Sequence, residues 1–173
     1  LEDVIAFLEE TKQITETDGG YEIDKEFCKE DSVELNILKG VRTGEKDSAA
    51  YNAILEHLIS NDRILFDRTS QLVDEMEEKM PDSNWNDTKL GYWARVMGVL
   101  GVVRDINTER GEDMTTVISP EKELLFELLR SSIEETGSRA LSDVLDYIDQ
   151  TYLPVYTQRN RISTSIDRCL SIY

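Results

Sequence analysis

Residues 90–103, LGYWARVMGVLGVV, combine bulky apolar side chains with small residues at helical spacing. At 3.6 residues per turn, the small residues share one stripe: Gly91, Ala94, Gly98 and Gly101. The large side chains share another face: Trp93, Met97, Leu100 and Val103. Because each glycine costs a helix about 1 kcal/mol relative to alanine, tertiary contacts must stabilise this segment. We predict a buried central helix over about residues 88–106, with Gly98 or Gly101 in close contact with another helix.

The length and composition favour one globular domain. A chain of 173 residues can bury about 70% of its unfolded surface without disulfides or metals. Apolar residues make up 39% of the chain and charged residues 32%, which is typical of a charged helical protein. We therefore predict a single helical domain over residues 1–173.

Apolar residues recur at three- and four-residue spacing along most of the chain. The clearest helix start is Ser119-Pro120-Glu121, which has a capping serine, a proline and an acid in sequence. Residues 15–47 are the least regular segment, with a short strand or turn expected at residues 21–23. Alternation typical of strands is rare, so we predict an all-α bundle of six to eight helices around the central helix.

The net charge of −17 restricts the kinds of partner. Phosphate backbones are bound by clustered lysine and arginine, so direct nucleic-acid binding is disfavoured. The exception would be a short C-terminal patch with Arg159, Arg161 and Arg168. An acidic surface suits solubility or a basic partner surface.

The two cysteines, Cys28 and Cys169, lie near opposite ends of the chain. Lone thiols at this spacing are typical of reduced residues, which favours a reducing intracellular compartment. The longest apolar run is interrupted by Arg95 and is shorter than the roughly 20 residues that cross a bilayer. We expect no membrane span, and the sequence leaves the oligomeric state open.

Catalytic and metal-binding patterns are missing. His57 is the only histidine, so sites that need paired imidazoles cannot form, and we expect His57 at the edge of an apolar helix face. Asp143, Asp146 and Asp149 share one helix side, which we interpret as a solvated face. No calcium-loop or phosphate-loop pattern occurs. The sequence predicts no catalytic residue, metal or cofactor, and no enzymatic activity.

Three residues near the start of the central helix are candidates for binding a partner: Trp85, Tyr92 and Arg95. Tryptophans exposed at interfaces contribute strongly to binding, although a loop tryptophan folded onto the core is the alternative for Trp85. Arg95 is the one charge in the apolar stretch. It could reach solvent or pair with Asp87, or present its fork of donors to a carboxylate on a bound helix.

Tyr92 to Val96, YWARV, resembles the N-W-G-R-[IV] motif of Bcl-2-like proteins. The resemblance implies an arginine at the start of a central hydrophobic helix that bonds a carboxylate on a bound helix. It covers five residues, with tyrosine in place of the asparagine and alanine in place of the glycine. The second tryptophan-containing motif of that family is absent downstream.

The function that we favour is a non-catalytic protein-interaction module of adaptor, regulatory or effector type. Its apolar groove or patch would border the central helix and bind an amphipathic helix or a basic surface of another protein. An acidic inhibitor or nucleic-acid mimic that covers a basic site is the first alternative. A divergent Bcl-2-like helix-binding domain is another, and an enzyme with acids hidden among the surface carboxylates is the last.

Overall fold

The computed structural model describes residues 2–25, 28, 32–44, 46–67, 70–107 and 114–171. Its helices are α1 (Glu2–Glu10), α2 (Val33–Thr43), α3 (Lys46–Ser60), α4 (Ser70–Lys79), α5 (Asp87–Val99), α6 (Lys122–Thr136), α7 (Leu141–Thr151) and α8 (Thr164–Ser171). Its strands are β1 (Ile14–Thr17), β2 (Gly20–Ile23), β3 (Leu65–Asp67), β4 (Val103–Asn107) and β5 (Met114–Ile118).

The all-α prediction is wrong, because the described residues form two small antiparallel sheets beside the eight helices. In the first sheet, β1 and β2 form a hairpin with Ile14 opposite Ile23 and Thr17 opposite Gly20. The second sheet has the strand order β3-β5-β4. Each strand spans only three to five residues, which is too short for alternation to separate it from a turn or a helix end.

The chain divides into two compact units. Unit 1 comprises residues 1–56 and 126–155, and unit 2 comprises residues 57–125 and 156–173. The prediction of one domain over residues 1–173 stays a prediction. The segment expected to be least regular contains the β1–β2 hairpin and an eleven-residue helix, α2.

In unit 1, helix α2 packs against α7 and against the residues that follow α1. Ser32 caps α2 by accepting a hydrogen bond from the amide of Leu35. A Cβ added at Gly40 would lie 2.1 Å from the carbonyl oxygen of Thr11, so only glycine allows this approach. The close contact predicted between another helix and Gly98 or Gly101 is wrong. A Cβ added at Gly98 would meet only the Val103 oxygen of β4 at 3.7 Å, and one added at Gly101 would meet Glu121, which precedes α6.

In unit 2, helix α5 packs against α4 and β4. The predicted buried face is confirmed, since Trp93, Met97, Leu100 and Val103 are all buried. The Trp93 ring meets Phe66 of β3 in a tilted contact with 5.7 Å between the ring centroids. One face of α5 thus closes the core of unit 2.

The central helix ends earlier than the predicted boundary near residue 106. Gly101 has a φ of 71°, a left-handed conformation that glycine adopts without strain. The amide of Gly101 donates to the carbonyl of Gly98, and the amide of Val102 donates to that of Met97. This pair of hydrogen bonds is a Schellman motif, which stops α5 and turns the chain into β4.

Candidate partner-binding surface

Helix α5 has one buried and one exposed face. Asn86 caps its start by accepting a hydrogen bond from the amide of Lys89 at 3.0 Å. The core takes the side chains of Leu90, Trp93, Ala94 and Met97. We name the opposite, exposed residues Tyr92, Arg95 and Val99 the α5 outer face.

The α5 outer face has an apolar side chain at each end and a cation between them. Tyr92 is 55% exposed and Val99 is 83% exposed. The guanidinium carbon of Arg95 lies 5.7 Å from the centroid of the Tyr92 ring, a cation–π contact that contributes about 0.5–1 kcal/mol at exposed sites. Arg95 therefore packs on Tyr92 rather than on the predicted partner Asp87.

Trp85 lies in the loop before α5 and is only 5% exposed. Its indole nitrogen is buried and has no hydrogen-bond partner among the described residues. The alternative of a loop tryptophan folded onto the core is therefore the arrangement found. A role for Trp85 in binding a partner stays a prediction, and its side chain adds almost no surface to the α5 outer face.

Val99 was missed by the sequence reasoning, although its position carried a signal. Tyr92, Arg95 and Val99 are spaced at i, i+3 and i+7, which places them on one side of a helix. Within residues 90–103, only the small side chains and the largest side chains were assigned to a helix face, and Val99 belongs to neither group. A full helical projection separates Val99 from the buried positions of Trp93 and Met97.

A similar spacing, i, i+4 and i+7, occurs in the part of α6 that belongs to unit 1. Phe126 and Ile133 are exposed, and Arg130 between them is exposed as well. We name these three residues the α6 outer face. Serines rather than Ile133 face the interior in this part of α6, since Ser131 and Ser132 are buried. The exposed aromatic residue at Phe126 was also missed.

His57 is hydrogen-bonded rather than simply packed at a helix edge. Its Nε2 lies 2.9 Å from Oε2 of Glu75, and the same oxygen accepts a hydrogen bond from Arg63 at 2.7 Å. Gln71 donates to the other oxygen of Glu75 at 2.9 Å. Burial raises the pKa of Glu75, but the hydrogen bonds from His57 and Gln71 and the nearby positive charges outweigh it, so the pKa is lowered. This cluster holds Glu75 as a carboxylate.

Unit 1 contains a cluster built around a cation, Arg42. Its Nε donates to the main-chain oxygen of Asp149 at 2.8 Å, and its NH1 donates to Asn52 and to Glu56. Asp149 also accepts a hydrogen bond from the amide of Val155 at 2.7 Å. The interpretation of Asp143, Asp146 and Asp149 as one solvated face is wrong for Asp149, which is half-buried and links α7 to α2.

The described residues offer no ready metal site or membrane span. No group of three or more histidine, cysteine, aspartate or glutamate side chains within these ranges is placed to hold a metal ion. Among the same residues, no helix combines the length and the apolar composition needed to cross a bilayer.

Comparison with known proteins gives no family. No protein-family description matches the sequence, and neither curated proteins nor solved structures give a significant match. The resemblance of residues 92–96 to the Bcl-2-like motif therefore stands on those five residues. The β-strand that follows α5 departs from a plan built only of helices.

Proposed function

We propose that this protein is a non-catalytic interaction module that binds another protein through the α5 outer face. The observation that carries the proposal is the 83% exposure of Val99 in line with Tyr92, on a helix whose other face is fully buried. Apolar anchors at i and i+7 with a residue at i+3 between them match the contacts that an amphipathic partner helix makes.

Arg95 supports the proposal through its chemistry. A guanidinium presents a planar fork of donors that suits a carboxylate, and stacking on Tyr92 orders that fork before a partner arrives. The partner that fits best is an amphipathic helix with apolar residues for Tyr92 and Val99 and an acidic residue for Arg95.

The test compares two matched pairs of substitutions. The pair Tyr92→Ser with Val99→Ser removes the apolar ends of the α5 outer face, and the pair Phe126→Ser with Ile133→Ser does the same on α6. We expect the first pair to reduce capture of the bound protein from the native source at least about tenfold, which is about 1.4 kcal/mol. The second pair should leave capture unchanged.

Unfolding must be excluded in both variants by thermal melts monitored by circular dichroism. Equal capture by both variants at unchanged melting temperature would contradict the proposal. Loss of capture only in the α6 variant would move the binding surface to α6.

Duplex nucleic acid is the second candidate: the net charge of −17 disfavours it, but the order of elements in unit 2 resembles that of a nucleic-acid-binding motif. Helices α4 and α5 follow one another across residues 80–86, which include a 3₁₀ turn at Pro81–Ser83, and the paired strands β4 and β5 come next. Helix-turn-helix proteins place the second helix of such a pair in the major groove. Exposed cations on α5 and β4 would face the phosphates: Lys89, Arg95 and Arg104.

Salt dependence separates the two candidates. Fluorescence anisotropy with a labelled mixed-sequence duplex of about 30 base pairs would be recorded between about 50 mM and 200 mM salt. Nucleic-acid binding predicts that Arg95→Ala weakens affinity and lowers the salt slope by about 1. The protein-partner proposal predicts no measurable duplex binding. The alternative of an acidic inhibitor or nucleic-acid mimic stays a prediction, because neither assay tests it.

A further inference from the structure

The β1–β2 hairpin is anchored at its base and exposed along its arms. Thr11 lies against Gly40 of α2, and the side-chain amide of Gln13 donates to the carbonyl of Asn36 at 3.0 Å. Beyond this base, all four residues of β2 are exposed. A two-stranded hairpin is only marginally stable in water. A further strand added to it would stabilise both arms.

The register of the hairpin shows which backbone groups face outward. The amide of Asp24 donates to the carbonyl of Gln13, so these opposite residues form a hydrogen-bonded pair. Hydrogen-bonded and non-hydrogen-bonded pairs alternate along an antiparallel ladder. Ile23 and Tyr21 therefore belong to non-hydrogen-bonded pairs with Ile14 and Glu16. Their amide and carbonyl groups point away from β1.

The outward edge of β2 carries exposed apolar side chains as well. Tyr21 is 47% exposed and Ile23 is 66% exposed, and residues two apart on a strand share a face. Among the described residues, β1 is the only hydrogen-bonded neighbour of β2. The edge thus offers two sets of backbone groups and two apolar side chains in one line, which is the pattern that an added strand recognises.

The acidic side chains around this edge indicate which kind of strand would bind to it. Residues 14–24 contain four acidic side chains and no lysine or arginine. Glu22 lies on the face opposite Tyr21 and Ile23. Pairing of β2 with β2 of a second copy would bring Glu22 of one copy near Glu22 of the other, and like charges directly opposite each other destabilise a sheet. A strand with basic residues would instead offset these carboxylates.

We propose that the outer edge of β2 binds an extended segment of another protein in which apolar and basic residues alternate. The apolar residues lie beside Tyr21 and Ile23 on one face, and the lysines or arginines lie beside Glu22 on the other. This surface lies entirely within unit 1 and is independent of the α5 outer face. The segment adds a third strand to the hairpin.

The experiment uses a capped nonapeptide of alternating lysine and valine and the whole protein chain. Amide hydrogen exchange by NMR should show protection of Tyr21 and Ile23 increasing at least about tenfold on addition of the peptide. The amide of Glu22, already paired with Thr15, should change little. A peptide methylated at its valine nitrogens should bind at least about tenfold more weakly, because it cannot donate to the edge.

Three outcomes would overturn the proposal. One is failure of the lysine–valine peptide to protect Tyr21 and Ile23. Another is equal binding of the methylated peptide, or of a glutamate–valine peptide, which would remove the roles of edge pairing and of charge. The third is protection of the same amides without peptide, rising with protein concentration, because a second copy would then be the occupant.

The substitution Ile23→Pro, which removes an outward amide, should abolish protection of the Tyr21 amide by the peptide, while the Glu22 amide remains protected.

Discussion

Unit 1 and unit 2 differ in charge and in how they use buried charged groups. Unit 1 has 21 acidic and 8 basic side chains, a net charge of −13, whereas unit 2 has 15 and 11, a net charge of −4. In unit 1 one cation, Arg42, serves several acceptors, including Glu56 and Asp149. In unit 2 one carboxylate, Glu75, serves several donors, including His57 and Arg63.

This difference shows where each unit is sensitive to a single substitution. In an acidic unit, a half-buried arginine offsets repulsion between carboxylates, and its loss leaves them uncompensated. In the less acidic unit, which still has a net charge of −4, loss of the central carboxylate leaves an arginine whose charge the surrounding acidic side chains offset. The following predictions compare matched positions in the two units, from the largest expected effect to the smallest.

Glycine substitutions should differ most between the units. Gly40→Ala should lower the free energy of unfolding by at least about 3 kcal/mol, because the new Cβ meets the main chain of Thr11. Gly98→Ala should instead raise it by about 0.5–1 kcal/mol, because its Cβ meets only the Val103 oxygen at 3.7 Å. Urea denaturation of both variants measures these changes. A neutral Gly40→Ala would contradict the close approach of α2 to Thr11.

The two charged clusters should differ next. We expect Arg42→Met to cost about 2–3 kcal/mol, since the arginine side chain is 13% exposed and its loss removes the ion pairs with Glu56 and Asp149. Glu75→Gln keeps the shape and some hydrogen bonds, and we expect it to cost about 1–2 kcal/mol. Equal costs in urea denaturation would mean that the charge difference between the units does not determine their sensitivity.

Asp62 of unit 2 allows the contribution of a hydrogen-bonded carboxylate to stability to be tested by changing the pH. Its carboxylate accepts hydrogen bonds from the hydroxyl and the amide of Thr164 at the start of α8, and these bonds lower the pKa of Asp62. Its stabilisation is therefore present above the unfolded pKa of about 3.9 and is lost as pH falls towards the lower folded value.

Asp62→Asn is the matched variant, because asparagine tolerates the positive φ of 53° at this position. We expect a cost of about 0.5–1 kcal/mol at pH 7, which shrinks in denaturation curves recorded below about pH 4. A difference that is constant between pH 7 and pH 3 would show that the charge of Asp62 is not involved.

The outer faces of α5 and α6 should contribute least to stability. Val99→Thr and Ile133→Thr change exposed side chains, so each should alter the free energy of unfolding by less than about 0.5 kcal/mol. A loss above about 1 kcal/mol in either variant would show that the side chain is covered within the chain. The difference between the two faces should then appear only in binding.

The sequence predicted the helices better than it predicted the turns and short strands between them. The apolar spacing located α5, and the predicted start at Ser119-Pro120-Glu121 lies within two residues of the first residue of α6. The end of α5 was missed because Gly101 was interpreted as part of a small-residue stripe. Its left-handed conformation depends on the turn into β4. Pairing between β3 and β5 is also non-local, since Leu65 lies opposite Val117, and strands this short leave little pattern in the sequence.

The candidate surface was predicted in part. Tyr92 and Arg95 lie together on the exposed side of α5, as their spacing indicates. Burial of Trp85 could not be derived from its polar loop, because its neighbours Asn84 and Asn86 are exposed. Likewise, the half-buried position of Asp149 follows from Arg42, which lies 107 residues earlier in the chain.

A photo-crosslinking amino acid placed at position 99 tests the central claim most directly, with the same group at position 133 of α6 as the control. Binding through the α5 outer face predicts one discrete protein adduct from position 99 and none from position 133. Adding Arg95→Ala should weaken the adduct from position 99. The absence of any adduct at position 99, or an equal adduct from position 133, would contradict the account.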